Sequence, residues 1–88
     1  MQINYPINSD WTTDELIDVV EFYSVVAQAN EGGVEREVFL DAYRAFKQIV
    51  TSKAEEKQLN AAHDEQTGYS TYRTVQAAQK SSSKIIKM

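Results

Sequence analysis

The chain contains no cysteine. That excludes a disulfide scaffold, a thiolate zinc site and a cysteine nucleophile, and it fits a reducing compartment. Its one histidine, His63, has no partners from which a zinc site of several nitrogen and sulfur ligands is built. No serine sits in the glycine-flanked elbow of a hydrolase, and no calcium-loop spacing of aspartates and glycine occurs. No apolar run approaches the roughly 20 residues a membrane helix needs. The first ten residues, MQINYPINSD, lack the basic start and apolar core of a signal peptide. A cytoplasmic protein is expected, with no cofactor, no metal and no membrane partner.

What is present is a globular balance. The 88 residues are 42% hydrophobic and 25% charged, which suits one folded domain rather than a disordered chain. Charge is unevenly placed. Residues 1–42 carry nine acids and one base, a net −8, whereas residues 43–88 carry four acids and eight bases, a net +4. Such polarity can steer a partner, although two differing solvated faces explain it as well.

Periodicity gives four helices. Residues 1–11 read as an extended arm, with Ile3, Tyr5 and Ile7 alternating. In WTTDEL, Thr12 and Glu15 form a capping box, in which each side chain accepts from the other's backbone N–H. A helix should run from there to about Ala29, stopped by NEGG. Leu16, Val19, Val20, Tyr23, Val26 and Ala27 make its apolar stripe, widened by Ile17 and Phe22. A second helix, from about Val34 to Val50, carries the strongest period: Val34, Val38, Phe39, Ala42, Tyr43, Phe46, Ile49 and Val50. Phe39, Tyr43 and Phe46 should pack on Leu16, Val20 and Tyr23. Ser52 and Glu55 open a third helix with another capping box; it should end near Thr67, with Gly68 free to turn left-handed. A fourth begins after Ser70. The basic tail, about 81–88, holds three serines and should fray. The fold class is therefore all-α, a small irregular four-helix bundle with an extended N-terminal arm.

Few residue groupings suggest chemistry. Asp14, Asp18 and Glu21 share a helix face and could be imagined as paired carboxylates, but that face lies opposite the apolar stripe, where a solvated charged surface is expected. HDE at 63–65 puts neighbours on a helix, which point apart, and a solvated or half-buried structural histidine is expected. EGGVER places two glycines before a helix, yet Glu31 and Glu35 would repel a phosphate, and a helix-ending turn suits it better.

The segment GYSTYRTVQ offers more. Tyr69 and Tyr72 can stack or pack, and Arg73, Lys80, Lys84 and Lys87 share a stripe if the fourth helix continues. Tyr69, which follows the turn glycine, should pack back across both flanking helices. Arg73 should be exposed and open to a partner, since its charge in the first turn opposes the helix dipole and gains nothing locally; pairing with an acid such as Glu65, or simply facing water, is the plainer alternative. Tyr69, Tyr72, Arg73, Lys80 and Lys84 are the candidate partner surface. The domain is acidic overall, unlike most nucleic-acid-binding domains.

YPINSDWTTDELIDVVEFY, YRAFKQIV, SKAEEKQL and GYSTYRTV, in that order, resemble the small YktA-like proteins of low-GC Gram-positive bacteria, an uncharacterised protein family. The likeness runs from about Tyr5 to Ala78. Thr51 stands where the family pattern often has proline, which affects only a turn. The resemblance implies a compact all-helical cytosolic protein and carries across no catalytic or binding residue. Two function classes follow. One is a protein–protein interaction or regulatory module without catalysis; the other is a nucleic-acid-binding accessory protein using the basic fourth helix and tail.

Overall fold

The computed structural model describes residues 11–88. The expected arm, with Ile3, Tyr5 and Ile7, lies outside them apart from Trp11, which packs partly buried against the core. Helix α1 (Thr13–Glu31) starts at the anticipated capping box: Thr12 Oγ1 accepts from Glu15 N at 3.2 Å and Glu15 Oε1 accepts from Thr12 N at 2.9 Å. A two-residue strand β1 (Val34–Glu35) leads into α2 (Arg36–Ile49), α3 (Lys53–Thr67) and α4 (Thr71–Lys80). Ser52 Oγ accepts from Glu55 N at 3.4 Å at the start of α3. Gly68 closes α3 at φ 79°, a left-handed turn that costs glycine nothing, and its N–H donates to Asp64 O at 2.8 Å. The architecture is the expected all-α bundle, and α1 and α2 form its most extensive helix pair.

The inward face of α1 is rotated from the expected one. Val19, Phe22, Tyr23, Val26 and Ala29 are buried, whereas Val20 is exposed and Ile17 is 57% exposed. The large Phe22 ring decides the orientation. It stacks on Phe46 with centroids 4.4 Å apart and meets Tyr23, Tyr43 and Phe39 at 4.9, 5.4 and 5.9 Å. Turning Val20 inward would turn this ring toward water, and aromatic burial is worth more than a valine's. On α2, Phe39 and Phe46 are buried and Tyr43 partly so, but Val38 is exposed.

The tail does not fray. Ile85–Ile86 forms a second strand, β2, antiparallel to β1, with Val34 opposite Ile86 and Glu35 opposite Ile85. Arg36 N donates to Lys84 O at 2.7 Å, and Met88 N donates to Ala29 O at 2.8 Å. Side chains alternate across the strand, so Ile86 is 3% exposed in the core while Ile85 lies outside, 50% exposed. The three serines end α4 and turn the chain; Ser83 N donates to Ser81 Oγ at 3.0 Å. Gly33 makes the pairing possible. Its φ is 120°, and a Cβ there would stand 3.0 Å from Ile85 Cγ2. The EGG turn therefore ends α1 and gives the tail clearance.

Candidate functional site

The corner between α3 and α4 is built from polar side chains. Ser70 Oγ accepts from Arg73 N at 3.3 Å, a side-chain cap on α4. Asp64, one helix back, adds a charged cap: its Oδ1 accepts from Thr71 N at 3.0 Å and from the Thr71 hydroxyl at 2.7 Å. A carboxylate at a helix N-terminus is favoured by the helix dipole. The Thr71 oxygen, having given its proton to Asp64, is an acceptor toward His63 Nδ1 at 3.3 Å. This places a ring proton on His63 Nδ1. Burial pushes the His63 imidazole below its ordinary value, against the upward pull of Asp64. His63 is fully buried, not solvated or half-buried as its sequence context suggested. Its ring lies 4.8 Å from that of Tyr23. His63 and Asp64 thus tie α3 to α4 and α1, while Glu65 points apart from them into solvent.

The five residues expected to form one surface fall into separate places. Tyr69 is half-buried, and its hydroxyl donates to Glu31 Oε2 at 2.8 Å, tying the corner to the end of α1. Tyr72 and Arg73 are exposed in the first turn of α4. Arg73 makes no ion pair among the described residues, Glu65 included. Lys80 stands exposed at the other end of α4. Lys84 belongs to the tail, beyond the end of the helix, so the continuous stripe of Arg73, Lys80, Lys84 and Lys87 does not form.

Lys84 and Tyr72 instead line two different clefts. The Lys84 cleft, about 680 Å³, runs between Glu35, Arg36 and Glu37 on one side and residues 82–85 on the other. Its arginine is already committed: Arg36 Nε donates to Ala78 O at 2.8 Å, at the C-terminal end of α4. The Tyr72 cleft, about 540 Å³, opens between α2, α3 and α4. From α2 come Tyr43 and Lys47. From α3 comes a stripe at helical spacing: Lys53, Glu56, Lys57, Asn60, Ala61 and Asp64.

Two tyrosine rings, three lysines and an amide meet in this second cleft. Lys47 pairs with Glu56 across α2 and α3. That hydrogen bond raises the Lys47 ammonium, while burial and then the Glu56 charge push the Tyr43 phenol up. Both groups keep their protons at neutral pH. Asn60 Oδ1 accepts from the Tyr23 hydroxyl at 2.7 Å, so the core holds the amide's orientation. Lys53 and Lys57 are exposed and make no ion pair among the described residues. Of these lining residues, only Tyr72 was singled out from the sequence. The 53, 57, 60/61, 64 spacing lies in the sequence, but a polar helix face by itself marks only a solvated surface.

Among the described residues, no group of three or more histidine, aspartate or glutamate side chains is placed to hold a metal ion. No helix among the described residues is long and apolar enough to cross a membrane. The model of an uncharacterised protein family, UPF0223, matches residues 2–87. The chain is 51% identical over 88 residues to the UPF0223 protein YktA of Bacillus subtilis, with all of both chains covered. It is 47% identical over 89 residues to a UPF0223 protein of Bacillus cytotoxicus and 46% identical over 88 to one of Oceanobacillus iheyensis, again over the full length of each. The chain therefore belongs to the uncharacterised protein family UPF0223.

Proposed function

We propose that this protein is a cytoplasmic protein-interaction module without catalysis of its own, and that it docks its partner at the Tyr43–Tyr72 cleft. The cleft carries the reading. Tyr72 is 65% exposed, a ring left largely in water beside a second ring and the Nδ2 of an amide oriented by the core. Aromatic rings of this kind are common anchors at protein interfaces. Two observations support the non-catalytic part. His63, the one imidazole, is enclosed on all sides and cannot reach a substrate proton. The Asp64 carboxylate is engaged in capping α4. The nucleic-acid alternative loses its main support, because the basic residues it needs do not share a helix face.

The test is a photo-crosslinking amino acid, benzoylphenylalanine, placed at position 72 in native cells and compared with the same residue at position 58 of α3, outside the cleft lining. A discrete protein adduct from position 72, absent from position 58, is expected. Adducts destroyed by nuclease, or none at position 72, would overturn the reading.

A further inference from the structure

We propose that the occupant of this cleft is an acidic, apolar-tipped segment of a partner protein. Its carboxylate would be held at Asn60 and Lys57, and an apolar side chain would lie between Tyr43 and Tyr72. The inference rests on the cleft being a docking site for protein, as argued above.

The charges select the sign of the ligand. Both acids in the cleft are already engaged, Glu56 by Lys47 and Asp64 by Thr71. Lys47 is neutralised in the same way. Lys53 and Lys57 are left, one turn apart on α3, with Asn60 three residues further along the same face. Asn60 supplies direction. Its oxygen is held by the hydroxyl of Tyr23, a residue with no exposed surface, which leaves the Nδ2 hydrogens as donors at the cleft. An amide donor beside the Lys57 ammonium, with Lys53 one turn further along, matches a carboxylate and mismatches a cation.

The shape selects the kind of ligand. A small molecule is held by burying most of its surface. Here one wall, Tyr72, is largely in water, so the cleft suits a side chain projecting from a larger body. The remaining charges then orient that body. Helix α1 carries Asp14, Glu15, Asp18, Glu21 and Glu31 and no base, so an acidic partner is repelled there and drawn to the cleft side.

The probe is a blocked heptapeptide of glutamate and leucine around one phenylalanine, titrated to millimolar concentration into 15N-labelled protein. Its counterpart with lysine in place of glutamate and an oligothymidylate of equal negative charge serve as comparisons. Expected are amide shifts centred on Tyr43, Lys57, Asn60 and Tyr72 for the acidic peptide alone. Reversing two exposed charges together, Lys53→Glu with Lys57→Glu, should weaken binding about tenfold. Asn60→Asp keeps the acceptor for Tyr23 but replaces the donor with a negative charge, and it should weaken binding similarly. Equal binding of the lysine peptide, preference for the oligothymidylate, or no shifts with the acidic peptide would each overturn the proposal. So would concentration-dependent shifts placing α1 of a second copy in the cleft. An adduct from position 72 with a silent acidic peptide removes only the acidic assignment; failure of both removes the docking site itself.

Discussion

Replacing Ile86 with alanine removes three carbons from a side chain that is 3% exposed, in a strand held by pairing with Val34. At about 0.8 kcal/mol per buried methylene, the transfer term alone is about 2.4 kcal/mol. A residual cavity adds to it, within the roughly 2–5 kcal/mol span of such truncations. The strand lies at the surface of the core and can settle inward, so about 2–3 kcal/mol is expected. A domain of this size has roughly 4–13 kcal/mol to lose. The melting midpoint should fall by about 10–20 °C. The neighbouring Ile85 is half in water and covers the face of Gly33, so Ile85→Ala should cost under about 1 kcal/mol. Thermal melts followed by far-ultraviolet circular dichroism measure both variants. A slip of one position would exchange the two side chains, which makes the pair a test of register. Midpoints for the two variants lying within about 2 °C of each other, against the expected gap, would refute the tail pairing.

Other expectations follow from the core and the caps. Phe46→Ala takes away the ring on which Phe22 stacks and should cost about 3–5 kcal/mol, read as a lower denaturant midpoint. Thr12→Ala and Ser52→Ala each remove a side-chain cap and should cost about 0.5–2 kcal/mol by thermal melt. Burial lowers the folded-state value of His63 below its unfolded value of about 6.5. Between those two values the unfolded chain binds more protons, so stability is full above about pH 6.5 and falls as pH drops through that value. In His63→Gln this part of the pH dependence disappears, and a midpoint-against-pH curve that matches wild type between about pH 5 and 7 would contradict it. Arg73→Ala should leave the melt nearly unchanged, since the arginine has no ion-pair partner among the described residues.

The helices were legible because their signals are local. Thr12 with Glu15, Ser52 before Glu55, and Gly68 after Thr67 each sit within one turn of the end they define. The face of α1 differs from the periodic expectation because periodicity leaves Val20 and Phe22 to compete, and the aromatic cluster on α2 settles the choice. The order of the tail is not legible locally because it depends on Val34 and Gly33, far away in sequence, while its own serines argue for fraying. Local composition carries no information about such a distant partner. The cleft was half-legible. Tyr72 stood out as an aromatic beside an arginine, but Asn60 gains meaning only from the Tyr23 hydroxyl reaching across from α1.

The β1–β2 clasp also bears on how the protein folds and opens in time. Val34 and Ile86 are about 50 residues apart, and their pairing closes a loop that contains α2, α3 and α4. The loop's entropy is lost at closure, whereas each helix gains its own contacts early. Helical packing should therefore precede the clasp, which forms after the rate-limiting barrier. An interaction absent at the barrier leaves the folding rate alone and governs escape from the native state. The short strand pair then acts as a kinetic latch: weakening it at Gly33 or Ile86 should multiply the unfolding rate, with refolding almost as fast as before.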